Sequence, residues 1–178
     1  SAFNACLNLT SFIVPENITI IPRSCFYYCT SLNNITFLGN ITSIESFAFY
    51  NCQKLKSIKI PESCCSFLSL TFYLCIGLTS IEIPANVNSI GSSAFDRCSN
   101  LSKVYYYGKN SPTYSGQIFS NTQVNTVDVN DDYNDTHFCS YPISIIPTKT
   151  NYFSLSNEFS QSFNFGNTNE FTMSCLFT

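Results

Sequence analysis

The chain has 178 residues, and only 11% of them are charged, less than half of the share of about 25% in a typical soluble domain. Lys and Arg total eight against eleven Asp and Glu, so the basic surface that nucleic-acid binding requires is missing and we expect no nucleic-acid partner. The longest apolar run, Cys64 to Ile76, is too short and too often interrupted by hydroxyl side chains to span a membrane. The sequence starts at Ser1 without a basic leader, so we expect any targeting signal to lie outside it.

A spacing of 23 residues recurs from the first residues onward. Five phenylalanines have this spacing, and each is followed by a cysteine three residues later and by a leucine six residues later. The three columns are Phe3, Phe26, Phe49, Phe72 and Phe95; Cys6, Cys29, Cys52, Cys75 and Cys98; and Leu9, Leu32, Leu55, Leu78 and Leu101. A unit of this length cannot bury its own apolar side, so the pattern predicts a β-rich solenoid in which successive units stack on one core.

The fourth unit shows the expected course of the chain. Ile81 and Ile83 alternate with polar residues, which predicts a strand with these two side chains in the core, and Pro84 ends it. Residues 86–91 make a second pass, and residues 92–98 turn the corner to the next unit. Parallel strands of successive units should then stack about 4.8 Å apart.

The segment from Leu78 to Cys98 reads LTSIEIPANVNSIGSSAFDRC. It resembles the BspA-like, or Treponema-type, leucine-rich repeat, and the likeness extends over residues 2 to about 107. Cys25 and Leu38 depart from the pattern, in the places of its Ala and Pro. The resemblance implies a leucine-rich repeat fold and a role as a surface adhesin of bacteria or mucosal protists that contacts host matrix proteins or host cells.

The repeat decays after Leu101. The next phenylalanine of the column, Phe119, comes 24 residues after Phe95, and valines over 124–129 alternate as in one more strand. Tyr133 and Phe138 are expected to close the open end of the core. The predicted organisation is a leucine-rich repeat array of five units over residues 1–107, a degenerate repeat with a C-terminal cap over 108–139, and a partly ordered Ser/Asn/Phe-rich tail over 140–178.

The cysteine column runs in single file, which is poor geometry for a tetrahedral metal site. Buried free thiols are the favoured interpretation, and disulfides between units or a metal remain alternatives. Outside the columns, Cys139 and Cys175 are the candidates for a disulfide pair.

Two further motifs invite a chemical interpretation. His137 and Cys139 suggest a Cys/His catalytic pair, but no oxyanion or substrate element accompanies them. The acidic stretch from Asp128 imitates a calcium loop, yet Tyr133 and Cys139 stand where that loop needs Gly and Glu. We therefore expect no catalytic residue, no metal and no cofactor.

Six N-x-[ST] sequons are candidates for N-glycosylation, although composition alone accounts for most of them. They are Asn8, Asn17, Asn34, Asn40, Asn100 and Asn134.

The outward side of the first strand of each unit is the candidate ligand-binding surface, because solenoids bind partners on extended strand faces. Its residues are Ile13, Thr36, Ser57, Lys59, Ser80, Glu82, Lys103, Tyr105, Thr126 and Asp128. Lys59 and Glu82 are one unit apart, so mutual pairing is an alternative to ligand binding.

We expect a non-enzymatic, cell-surface or secreted domain whose partner is a protein, including host matrix or cell-surface proteins. A structural spacer, or a stalk that self-associates through the open first unit over 2–14, is the alternative. An enzyme built on Cys139 and His137 is the least favoured interpretation.

Overall fold

The computed structural model describes residues 2–147, which form twelve β-strands. The strands are β1 (Ser11–Val14), β2 (Ile20–Ile21), β3 (Asn34–Phe37), β4 (Ser43–Ile44), β5 (Ser66–Phe67), β6 (Ser80–Ile83), β7 (Ser89–Ile90), β8 (Lys103–Tyr106), β9 (Thr113–Tyr114), β10 (Val127–Asn130), β11 (His137–Phe138) and β12 (Tyr141–Ile146). Over these residues there is no helix with the length and apolarity to cross a membrane.

The short second strand of each unit forms one continuous parallel sheet, which we call the second sheet. Its order is β2-β4-β5-β7-β9. Ser43 pairs with Ser66, and Ser66 pairs with Ser89, so neighbouring partners are 23 residues apart. The repeat read from the sequence is therefore the register of the sheet, and the predicted β-solenoid is confirmed.

The longer first strands form the front sheet, which is interrupted in the third unit. β1 and β3 make a two-stranded piece, and β6, β8, β10, β12 and β11 make a five-stranded piece. Between them, residues 57–60 form no named strand and contribute the isolated bridge between Lys59 and Glu82. The alternation predicted in the fourth unit is confirmed, since Ile81 and Ile83 are buried and Glu82 is exposed.

The core contains a stack of phenylalanine rings, one from each unit. Consecutive ring centroids from Phe3 to Phe119 are 5.1 to 5.4 Å apart, with interplanar angles of 2° to 25°. Phe26, Phe49, Phe72 and Phe95 are fully buried, whereas Phe3 at the first unit is partly exposed. Each interior ring therefore packs between the rings of the units before and after it.

The cysteine column lines the same corner, and its thiols are free and hydrogen-bonded. From the second unit onward, each of the four thiols donates to the backbone carbonyl of the phenylalanine one unit earlier. The four Sγ···O distances are 3.0 Å from Cys29 to Phe3, 3.2 Å from Cys52 to Phe26, 3.1 Å from Cys75 to Phe49 and 3.0 Å from Cys98 to Phe72. Burial raises the pKa of the Cys29 thiol to about 11 and holds that of Cys75 well above its ordinary value. The four hydrogen bonds thus connect each unit to the one before it.

Besides the front sheet and the second sheet, the corners of the units form a third line of backbone hydrogen bonds between units. The N–H of Phe26 donates to the carbonyl of Ala48, and that of Phe72 donates to the carbonyl of Ala94. Non-glycine residues with positive φ recur at two positions of the corners, for example Leu70 and Leu74 at 60° and 59°. This left-handed backbone belongs to the fold itself, because it repeats from unit to unit.

The C-terminal end of the described core is closed by aromatic residues and by β12. Phe138 is buried, with its ring 4.8 Å from that of Tyr106, and Tyr141 packs edge-on against Phe119 at 5.0 Å. β12 joins the front sheet beside β10, so the sheet extends beyond residue 139. The predicted tail is described over residues 140–147, and its remainder lies outside the described residues, as does the predicted pairing of Cys139 with Cys175.

Candidate binding face

The predicted front row lies in register along the solenoid. Ile13 pairs with Thr36 in the first piece of the front sheet. Across the interruption, Lys59, Glu82 and Tyr105 follow one another by single units, and Tyr105 pairs with Asp128. One side chain per unit is therefore presented along this face.

The other predicted residues flank this row. Ser80 pairs with Lys103, and Ser57 belongs to the interrupted third unit. Thr126 comes immediately before β10 and is exposed. Ile13 is 61% exposed, which is unusual for a strand isoleucine. The role of the row and of the flanking residues in binding stays a prediction.

A groove of about 380 Å³ opens where the front sheet is interrupted. Its lining residues are Ser57, Ile58, Lys59, Ile60, Glu62, Ser80, Glu82, Pro84 and Tyr107. Ile58, Ile60 and Pro84 are buried, so they form an apolar floor. Lys59, Glu62 and Glu82 are exposed and provide charge at the rim.

The charged residues at the rim of the groove do not form the pair between Lys59 and Glu82 that the sequence suggested as an alternative. Among the described residues the only ion pair joins Lys109 to Asp132 at 3.2 Å, so Lys59 and Glu82 do not pair with each other. Glu82 instead interacts with the phenol of Tyr107. Burial raises the pKa of Tyr107, and the neighbouring carboxylates of Glu82 and Glu62 raise it further. Tyr107 is therefore a neutral phenol beside the Glu82 carboxylate, and the Lys59 ammonium has no ion-pair partner among the described residues.

Sequence reasoning missed a second surface, on the outside of the corner. We call it the aromatic strip, and it consists of Arg23, Tyr27, Tyr28, Phe47, Tyr50, Tyr73 and Arg97. The rings of Tyr27 and Tyr50 stack at 4.9 Å and those of Tyr50 and Tyr73 at 4.8 Å. Arg23 lies 5.1 Å from the centroid of Phe47, and Arg97 lies 5.8 Å from that of Tyr73. The signal was present, because Tyr27, Tyr50 and Tyr73 are also spaced by 23 residues.

The Cys139 and His137 region is a shallow, open depression near the C-terminal cap. Cys139 is buried, its backbone N–H donates to the Ser111 hydroxyl at 3.0 Å, and burial raises its pKa to about 12. His137 is exposed, with Nδ1 3.1 Å from the Thr136 hydroxyl. A nucleophilic cysteine needs a lowered pKa, so this arrangement does not activate the thiol.

The acidic segment braces the cap. The carboxylate of Asp135 accepts a hydrogen bond from the Ser111 N–H at 2.6 Å, and Asp132 pairs with Lys109. Among the described residues, no group of His, Cys, Asp and Glu side chains is arranged to hold a metal ion.

All six sequon asparagines are exposed. The side-chain amides of two of them, Asn100 and Asn134, form hydrogen bonds within the fold. Asn100 Nδ2 donates to the Ile76 carbonyl at 2.7 Å, and Asn134 Nδ2 donates to Asn110 Oδ1 at 2.9 Å. Glycosylation of any of the six stays a prediction.

The fold and register define a leucine-rich repeat solenoid. The family described as "BspA type Leucine rich repeat region" matches residues 1–125 in six copies, so the chain belongs to this family. The resemblance read from the sequence is thereby confirmed. A comparison with curated proteins found no match.

Two solved structures have a similar fold. One is the leucine-rich repeat protein TpLRR of T. pallidum, at 22% identity and a TM-score of 0.47, covering 72% of this chain and 63% of that chain. The other is a leucine-rich cell surface protein of Faecalibacterium prausnitzii, at 17% identity and a TM-score of 0.45, covering 85% and 64%. The chain thus spans less than two thirds of the length of either structure.

Proposed function

We propose that this chain is a non-enzymatic binding domain of a cell-surface or secreted protein, and that it binds a partner protein through the front face. The observation that carries the proposal is the groove at the interruption of the front sheet, between Lys59 and Glu82. These two residues are partners in register but do not neutralise each other.

The groove has the composition of a protein-binding site. An apolar floor releases water when it is covered, and polar groups at the rim fix the orientation of the partner. The serine hydroxyls of Ser57 and Ser80 add donors and acceptors beside that floor. The row that continues to Tyr105 and Asp128 extends the surface over several units.

A surface location is supported by the exposure of the sequon asparagines, which would accept glycans without disturbing the core. A non-enzymatic role is supported by Cys139, whose thiol is buried and has a pKa raised by that burial. We name host matrix and cell-surface proteins as the partner class because the family resemblance implies it.

The test compares two double variants with equal net charge. Lys59→Ala with Glu82→Ala removes the groove charges, and Lys109→Ala with Asp132→Ala removes the ion pair near the cap. Attachment of the purified chain to epithelial cell layers and to immobilised matrix proteins is then measured. We expect a loss of about tenfold in attachment for the groove variant, which corresponds to about 1.4 kcal/mol, and none for the control.

Adding Tyr105→Ala should deepen the loss. If the groove variant and the triple variant attach as well as the parent chain, the front face is not the contact surface.

A further inference from the structure

We propose that the aromatic strip is a self-association surface on which a second copy of this chain docks. The strip is separate from the groove, because residues 23–28 and 47–50 belong to neither sheet. Tyr and Arg are the residue types most enriched at the energetic centres of protein interfaces. The other aromatic rings of the strip are half-buried and Tyr28 is exposed, so the strip offers a contiguous aromatic surface of the kind that marks an interaction site.

The geometry of the rings narrows the kind of partner. Tyr27, Tyr50 and Tyr73 stack on one another at interplanar angles of 23° and 17°, and the Arg97 guanidinium lies over the Tyr73 ring. Both faces of the central Tyr50 ring are therefore covered by neighbouring rings. Sugars and prolines bind to open ring faces, so the centre of the strip is unsuited to them. Ring edges and phenol hydroxyls suit a surface of the same composition, because each hydroxyl both donates and accepts.

The charges at the two ends of the strip point to a second copy. The end at the second unit carries Arg23, with Glu45 of the third unit beside it, and the end at the fifth unit carries Asp96 and Arg97. Glu45 accepts the Arg23 backbone N–H at 2.7 Å, and Asp96 Oδ1 accepts from Asn121 at 2.9 Å. Among the described residues neither arginine forms an ion pair. Each end therefore keeps a cation, and Asp96 keeps a second carboxylate oxygen.

A twofold axis lying in the contact plane, perpendicular to the line from Arg23 to Asp96, exchanges these ends. It brings Arg23 of one copy to Asp96 of the other, and the same pair forms again by symmetry. The centre of the strip, with Tyr50 and Tyr73, then meets its own equivalent. Arg23 and Asp96 are in this way complementary across the axis, while Arg97 lies over the Tyr73 ring of its own copy.

Dimerisation at this place leaves the front faces of both copies open. A closed dimer would present two grooves, so it would attach to a repeated partner with higher avidity than a monomer.

The test measures the oligomeric state of the full chain by sedimentation over a range of concentrations up to the millimolar region. Tyr50→Ser, at the centre of the strip, should weaken the dimer at least about tenfold, whereas Tyr114→Ser, an exposed tyrosine of the second sheet, should leave it unchanged. Circular dichroism confirms that each variant is folded.

The decisive experiment exchanges the charges of Arg23 and Asp96. Arg23→Glu and Asp96→Lys should each weaken the dimer, and the double variant should recover most of the loss. Within one chain Arg23 and Asp96 are separated by three units, and each unit adds 5.1 to 5.3 Å, measured between the stacked phenylalanine rings. They are therefore too far apart to contact each other within one chain, so recovery requires contact between two copies. A parent chain that stays monomeric at every concentration, an assembly larger than a dimer, or a dimer indifferent to Tyr50→Ser and to both charge changes would each overturn the proposal. The last result would indicate association elsewhere, such as at β1.

Discussion

Replacing Phe72 by Ala should destabilise the solenoid more than the same change at the first unit. The Phe72 ring is fully buried, stacks at 5.3 Å on Phe49 and at 5.1 Å on Phe95, and meets Phe67 edge-on at 5.8 Å. Truncation of a buried phenylalanine to alanine costs about 3–5 kcal/mol, and the loss of two stacked neighbours favours the upper part of that range. We expect about 4–5 kcal/mol, which is a large part of the total stability of about 5–15 kcal/mol for a domain.

Phe3→Ala is the matched comparison, because this ring is partly exposed and has a stacked neighbour on one side, Phe26 at 5.4 Å. Its cost should be about half, roughly 2 kcal/mol. Phe72→Leu keeps most of the volume and should cost about 1.5 kcal/mol. The assay is urea unfolding of the full chain followed by circular dichroism. Equal costs for Phe3→Ala and Phe72→Ala, or a cost below about 2 kcal/mol for Phe72→Ala, would refute the view that the ring stack carries the core.

Two more predictions concern the contacts between units. The free energy of unfolding should be constant between about pH 7 and pH 8 and should fall above about pH 9. In the folded chain the Cys29 and Cys64 thiols have pKa values raised to about 11, so they stay protonated there, whereas the same thiols of the unfolded chain lose their protons from about pH 9. Urea midpoints measured across this range test the sign, and a midpoint that rises with pH would contradict it. Gly91→Ala should cost about 2 kcal/mol, because the added Cβ would lie 2.6 Å from the Leu68 carbonyl carbon and 2.9 Å from Ser69 Cα in the preceding unit. Ser92→Ala is the control and should change the urea midpoint little, so equal effects of the two substitutions would argue against this close approach.

The periodic part of the sequence was enough to predict the unit, the strand register and the row from Lys59 to Asp128. Those features follow from which slots are apolar, and every unit repeats that information. The interruption of the front sheet could not be predicted in the same way. Residues 57–60 read Ser-Ile-Lys-Ile, with the same alternation as Ser80–Ile83 in β6. Alternation tells which face a side chain occupies, whereas ladder pairing depends on the positions of both neighbouring backbones.

The aromatic strip was missed for a different reason. The columns that define the core are apolar, and the slot after each core phenylalanine holds tyrosine in the second, third and fourth units but asparagine and aspartate in the first and fifth. A column that changes residue type contributes little to a repeat pattern. It does reveal where a surface differs from unit to unit, and such differences distinguish a binding surface from the scaffold.

The interruption of the front sheet has a mechanical consequence. The backbone hydrogen bonds between units run along the solenoid axis, so a pull on the two ends loads them directly. Through most of the molecule three lines share that load: the front sheet, the second sheet and the corner. Between β3 and residues 57–60 the front sheet has no ladder, so the second sheet, the corner bonds and the stack of Phe26 on Phe49 bear the force there. Under tension the solenoid should therefore part first at this seam, which lies at one edge of the groove.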